Sequence, residues 1–271
     1  MMAVLRTELS KQLRRPRTYI ALAFPVAVPL IITIALVFGT TDLEDADPFF
    51  FFAAESGLIV PAAALRSVER FVLFIVVAVI AGDAIAGEAS SGNLRYLLVR
   101  PISRGRLLAA KLIVVAGFMV VATVLVTLTG LVAGTIAFGF SPPATTFGFG
   151  DFDASTGELL LRAAAATAYV AWQTAPVAAF AFMLSTMTAS PAAAVGAAIS
   201  LPVMSQILGA IEPLGVLRDG LPTRRLDDWD DLYFFGEVTH RTVEGLLIPF
   251  PYVVLFCAAG WYWFKRKDVL S

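Results

Sequence analysis

Six stretches of this chain are apolar over 20 residues or more, and nothing else constrains its folding as strongly. They lie near 18–39, 65–86, 111–139, 159–184, 191–216 and 245–264. A helix needs about 20 apolar residues to cross a hydrocarbon layer of about 30 Å. Inside that layer every backbone N–H and C=O must be paired within the protein, so runs of this kind span as helices. Apolar residues are 58% of the 271 and charged residues 15%, which is more apolar surface than one globular core hides. The sequence therefore predicts an all-α polytopic membrane protein with six transmembrane helices in one domain over 18–271. The first run is preceded by Arg14, Arg15 and Arg17. It exceeds the roughly 7–15 residues of a signal-peptide core and lacks a small-x-small cleavage site, so it reads as a retained span.

Basic residues set the orientation. Arg6, Lys11, Arg14, Arg15 and Arg17 precede the first span; Arg95, Arg100, Arg104, Arg106 and Lys111 lie between the second and third; Lys265, Arg266 and Lys267 follow the sixth. With six crossings these segments share one side, which predicts an N-in/C-in topology. The opposite loops are acidic, with Asp42, Glu44, Asp45, Asp47 and Glu55, then Asp151, Asp153 and Glu158, or of mixed charge, at 217–244. Residues 1–17 read as an interfacial amphipathic helix, with Val4, Leu5, Leu9 and Leu13 at helical spacing and Arg6, Lys11, Arg14 and Arg15 within reach of headgroups. Trp261, Tyr262 and Trp263 ahead of Lys265 form an aromatic-then-basic anchor.

Small residues predict close helix contacts. Gly130 and Gly134 form a GxxxG pair, and 192–198 around Gly196 is a small-residue face; both suit packing within the chain or across a dimer. Pro25, Pro29 and Pro176 fall inside spans, where a kink or break is expected.

Gly82 to Lys111 is the most distinctive stretch. The second span runs into Gly87-Glu88, followed by a small polar turn to Gly92. Asn93 to Arg100 is short and amphipathic, with Leu94, Leu97 and Leu98 on one side; Pro101 interrupts it, and Ser103 is placed to cap a helix rising from Arg104. Its simplest reading is a basic loop that sets topology.

The stretch also resembles the cytoplasmic motif of the ABC-2 type permease family, roughly G-E-x-x-x-G-T-L-x-x-L-L-x-x-P-[IV]-S-R. Gly87, Glu88, Gly92, Leu94, Leu97, Leu98, Pro101, Ile102, Ser103 and Arg104 match, and Asn93 stands in place of the usual threonine. The six-span layout and basic N-terminus are similar to the family as well. The resemblance implies that the elbow at 87–106 is a coupling helix docking on a cytoplasmic ATP-binding subunit, with Gly87, Glu88, Gly92, Asn93, Leu94, Leu97, Leu98, Arg100, Pro101, Ser103 and Arg104 at that contact. It implies a working unit of two such ATPase subunits and two permease subunits, identical or different, in a bacterial or archaeal cytoplasmic membrane. It also implies short helices capping the pathway over 217–244.

The chain has no phosphate loop, since none of its four lysines follows a glycine, and no soluble stretch large enough for an ATPase domain. This predicts a non-catalytic subunit that binds no cofactor, with ATP and Mg on the partner chain. Cys257 is the single cysteine and His240 the single histidine, so a disulfide, a cysteine metal cluster or an intramembrane His-based protease site is not expected. A net charge of −1 supplies no field for nucleic acid.

Possible pathway residues are Arg66, Glu69 and Arg70 at the outer start of the second span, and the deeper Gln173 and Gln206. Ion pairing or snorkelling accounts for the first three equally, and interhelical hydrogen bonds for the glutamines. The aromatic cluster Trp229, Tyr233, Phe234 and Phe235 reads as resting on the outer interface. The function these features favour is an ATP-driven exporter of a hydrophobic or amphiphilic, drug- or lipid-like substrate. The alternatives are a secondary transporter or channel, which would show midplane acidic groups or an inverted repeat, and a permease-like complex doing mechanical or signalling work.

Overall fold

The computed structural model describes residues 1–39, 48–92, 103–143 and 154–266. These form eleven α-helices, one 3-10 helix and no strand: α1 (Met2–Leu13), α2 (Pro16–Phe38), α3 (Pro48–Glu55), α4 (Val60–Val68), α5 (Val72–Ser90), α6 (Arg104–Phe138), α7 (Thr156–Met187), α8 (Pro191–Gly209), the 3-10 helix (Glu212–Arg218), α9 (Asp230–Phe235), α10 (His240–Leu247) and α11 (Pro249–Arg266). Six are long and apolar enough to cross a membrane: α2, α5, α6, α7, α8 and the α10–α11 pair. The protein is an all-helical, multi-pass membrane protein.

Local chemistry sets several boundaries. Pro16 and Pro191 occupy first turns, where the missing N–H costs nothing. Ser155, Ser190 and Thr239 cap α7, α8 and α10 by accepting from the backbone N–H of Glu158, Ala193 and Thr242. Pro25, Pro29 and Pro176 lie within helices that continue past them.

Helix lengths explain the architecture. α5 has 19 residues, about 28 Å, whereas α6 has 35 and α7 has 32, about 50 Å each. The long pair overshoots a ~30 Å hydrocarbon layer by about 20 Å. The overshoot is packed by α3, α4 and α9, which form a head at the end of the bundle opposite α1. Its core joins Phe49, Phe52, Leu58, Ile59 and Leu65 to Trp229, Tyr233, Val126, Leu159 and Ala163. A second core, including Phe74, Val77, Ile85, Leu108, Val115, Phe182 and Phe264, fills the remainder of the bundle. Outward-facing Ile20, Phe24, Ile31 and Ile34 of α2 and Phe250, Val254 and Leu255 of α11 are exposed, as expected of faces solvated by lipid.

The GxxxG pair serves this head. A Cβ on Gly134 would lie 2.6 Å from the Gly57 carbonyl oxygen, and one on Gly130 would lie 3.1 Å from Pro61 Cα. α6 thus meets the segment leading into α4 backbone to backbone. On α8, Ala194 and Ala198 are buried, whereas Gly196 faces open space.

Three expectations change. Arg66, Glu69 and Arg70 do not open the second span: they close α4, and the span begins at Val72 after a break at Phe71 (φ −139°, ψ −57°). The fifth span stops at Gly209 rather than 216, and Pro213 lies in the 3-10 helix beyond it. Trp229 and Tyr233 are fully buried in the head, with the Trp229 ring 4.9 Å from that of Phe49. A short polar-flanked helix looks interfacial in sequence, and only its tertiary partners bury its aromatic face.

Candidate functional site

The end of α5 carries the most concentrated buried charge. Asp83 and Glu88 are nearly inaccessible, as are Lys111 of α6 and Glu8 of α1. Lys111 Nζ lies 2.7 Å from both Glu8 Oε2 and Glu88 Oε2, and donates to the Ala84 carbonyl at 3.0 Å. Lys11 Nζ bridges the same two carboxylates at 2.8 and 3.2 Å. Arg15 pairs with Asp83 at 2.6 Å and reaches Glu88 at 3.8 Å; Arg17 pairs with Asp83 at 2.9 Å. Three carboxylates and four cations thus join α1, α2, α5 and α6 in one ionic joint. In a low-dielectric site such a cluster holds only if every charge is answered.

Local sequence explains how the groups converge. Glu8, Lys11 and Gln12 share one face of α1, which turns inward, leaving Leu9 and Leu13 exposed on the other. Asp83 and Gly87 are four residues apart on α5, and a Cβ on Gly87 would fall 2.4 Å from Asp83 Oδ1. The missing side chain is the space the Asp83 carboxylate occupies. Burial penalises the ionised Glu8, but the charges of Lys111 and Lys11 outweigh it and hold its carboxyl below the usual range. Lys11 is likewise desolvated, yet its bond to Glu8 and the Glu88 charge keep its ammonium above the ordinary value.

Of the elbow residues, Gly87 and Glu88 end α5 inside this joint. Gly92 adopts the left-handed φ of +71° just past the helix, where glycine is unstrained. Asn93, Leu94, Leu97, Leu98, Arg100, Pro101 and Ile102 lie outside the described residues. Ser103 holds the N-cap position of α6, but its side chain makes no capping bond; its carbonyl accepts from Leu107 N–H at 3.2 Å. Arg104 Nη1 donates to the Lys265 carbonyl at 3.1 Å, tying the foot of α6 to the end of α11. Glu8, Asp83 and Lys111 were missed as a set in the sequence. The available signal was ionisable residues within or beside apolar runs, and Asp83 carries it most plainly.

Four of the remaining candidates lie towards the head. Arg66 Nη1 contacts Glu69 Oε1 at 3.1 Å and Asp227 Oδ1 at 2.8 Å, and Arg70 pairs with Asp227. The Trp229 indole donates to Glu69 Oε2 at 2.6 Å. Glu69 is fully buried; desolvation, then the Asp227 charge, raises its carboxyl well above the ordinary value. Gln206 Nε2 donates to the Arg70 carbonyl at 3.2 Å, and both residues line a polar cleft of about 300 Å³ with Ser205, Thr223 and Arg224. Gln173 lies elsewhere, donating to the Gly245 carbonyl at 2.8 Å, where α10 docks on α7. The structure therefore brings four of the five together around Asp227 and leaves Gln173 apart.

Among the described residues no group of three or more His, Cys, Asp or Glu side chains is arranged to hold a metal ion. The joint ties an N-terminal helix, the end of one span and the start of the next together through buried ion pairs. No curated protein matches the chain. The family profile described as ABC-2 family transporter protein matches residues 4–201, almost three quarters of the chain, from α1 into α8 and across the whole ionic joint. The chain belongs to the ABC-2 transporter family.

Proposed function

We propose that this protein is the permease subunit of an exporter for a hydrophobic or amphiphilic substrate, with both termini in the cytoplasm of a bacterial or archaeal cell. Two copies of a separate ATP-binding subunit drive it, and a second permease subunit completes the pathway. The observation that carries this reading is the ionic joint at Glu88, directly beside the elbow that follows α5. Force applied to that elbow is delivered to α1, α2, α5 and α6 together, because their charges cannot separate without leaving a desolvated ion. Closure of the ATPases then moves the spans as a rigid body. The basic side chains of α1, Arg104 and α11 cluster at one end of the bundle, which supports that end as the cytoplasmic one. The path leaves beside the head, past the Arg70–Gln206 cleft, with Arg66 and Glu69 behind it and Gln173 on the α7 side.

The test is a double variant, Glu88→Ala with Arg104→Ala, co-reconstituted with the partner ATPase. Substrate stimulation of ATP hydrolysis should fall while basal hydrolysis persists. Full coupling in the double variant would remove the joint from the mechanism.

A further inference from the structure

α6 and α7 run antiparallel, and two rows of side chains face each other across them: Val120, Val124 and Leu128 on α6, and Ala164, Ala168 and Trp172 on α7. Each row repeats every four residues, which puts its members on one helix face. Alanine at two of the three α7 positions leaves the facing row unmet, and a lateral groove of about 430 Å³ remains. Met119, Thr127, Thr167 and Ala171 form its floor and are buried, whereas Val120 and Leu128 on the rim are exposed.

The polar groups in the groove are already paired. Thr127 Oγ1 and Thr167 Oγ1 lie 2.6 Å apart, and Thr167 also donates to the Ala163 carbonyl at 2.6 Å. The Trp172 indole N–H donates to the Leu246 carbonyl at 2.9 Å, which fixes the ring across one end. A polar ligand would meet no free donor among these groups, whereas a hydrocarbon chain forfeits nothing and restores the missing contacts.

Depth selects the source of that chain. Val120 to Leu128 spans about 12 Å along the helix axis, close to one leaflet of a ~30 Å hydrocarbon layer. Both helices are candidate spans, so the open side lies at membrane depth. Trp172 and Val120 close the groove towards mid-bundle, and Leu128 and Ala164 open it towards the head.

We propose that this groove is a binding site for one acyl chain of a bilayer phospholipid from the leaflet on the head side, with the chain terminus against Trp172 and Met119. The inference rests on the bilayer placement of α6 and α7 and is independent of ATPase coupling.

The test uses the full-length protein in nanodiscs containing phosphatidylcholine with a diazirine near the end of one acyl chain, with adducts mapped by mass spectrometry after illumination. Adducts should concentrate on peptides containing Met119–Leu128 and Ala164–Trp172, several-fold above the lipid-facing surfaces of α2 and α11. Ala168→Phe should reduce groove adducts to the α2 level while leaving α2 labelling unchanged. Ala164→Leu, a smaller intrusion, should reduce them partially and serves if the first variant misfolds. Even labelling over α2, α6, α7 and α11, groove labelling that the filled variants leave intact, or an unlabelled groove beside labelled α2 and α11 would each overturn the proposal.

Discussion

Lys111 and Glu88 meet at 2.7 Å, each about 4% exposed, so that the start of one span and the end of the preceding one share a desolvated ion pair. Such a pair is a weak source of net stability, but removing one member leaves the other charged and buried. Glu88→Gln or Lys111→Met alone should each destabilise by about 3–5 kcal/mol, and the double variant by less than the sum of the two. Thermal or denaturant unfolding of the purified protein in nanodiscs measures the cycle. Strict additivity would show that the pair is not coupled.

The same joint makes the anchoring of α1 dependent on pH. Glu8 has a folded value below its ordinary 4.5, so its contribution is present above 4.5 and is lost as pH falls through the lower folded value. Lys11 has a folded value above its ordinary 10.5; its contribution is present below 10.5 and disappears as pH rises past the folded value. The hydrogen-exchange protection of residues 2–13, taken relative to the unstructured peptide at each pH, should therefore be high across the intervening range and fall at both extremes. Glu8→Gln should abolish the acid arm.

Glu69 has the opposite sign. Its carboxyl value is raised in the fold, so the native head binds that proton more tightly than the unfolded chain does. Its effect favours the fold at low pH, and stability should decline as pH rises from about 4.5 towards the raised value. Glu69→Gln keeps an acceptor for the Trp229 indole and removes the buried charge, while Arg66 retains Asp227 at 2.8 Å. The variant should lack the decline and melt at or above the parent temperature at pH 8. Melting curves of both proteins from pH 4 to 8 supply the comparison.

Gly245 is a contact that admits no side chain. A Cβ there would lie 1.7 Å from Tyr169 Oη and 3.1 Å from Gln173 Nε2, and Tyr169 is held by its bond to the Arg225 carbonyl at 2.7 Å. Gly245→Ala should cost about 1–3 kcal/mol through overpacking. Tyr169→Phe in that background should recover part of the loss by removing the nearest atom. Gly196→Ala, inside α8 where nothing lies within 4 Å, is the control and should leave the melting temperature equal or higher, since alanine is the better helix former.

The number and type of the spans were legible in the chain because a bilayer imposes one requirement on each of them: enough apolar residues to cross and every backbone group paired internally. That requirement acts locally, so runs such as 18–39 announce themselves without reference to their neighbours, here close to the helix Pro16–Phe38. The family was legible too, through the Gly87–Arg104 motif, whose identities fall within one short stretch. Glu88 could be singled out in this way; the residues that answer its charge could not.

Tertiary structure alone decided the rest. Glu8, Lys11 and Lys111 look like ordinary helix-surface charges until α1 folds back against α5 and α6, since the partners are up to 103 residues apart. Part of the head was hidden for a similar reason: α3 and α4 are short and unremarkable, and join α9 in a core only because α6 and α7 project far enough to hold them. Apolar length is a property of a segment and can be read from the segment. Which charges are buried, and against what, depends on packing between segments distant along the chain.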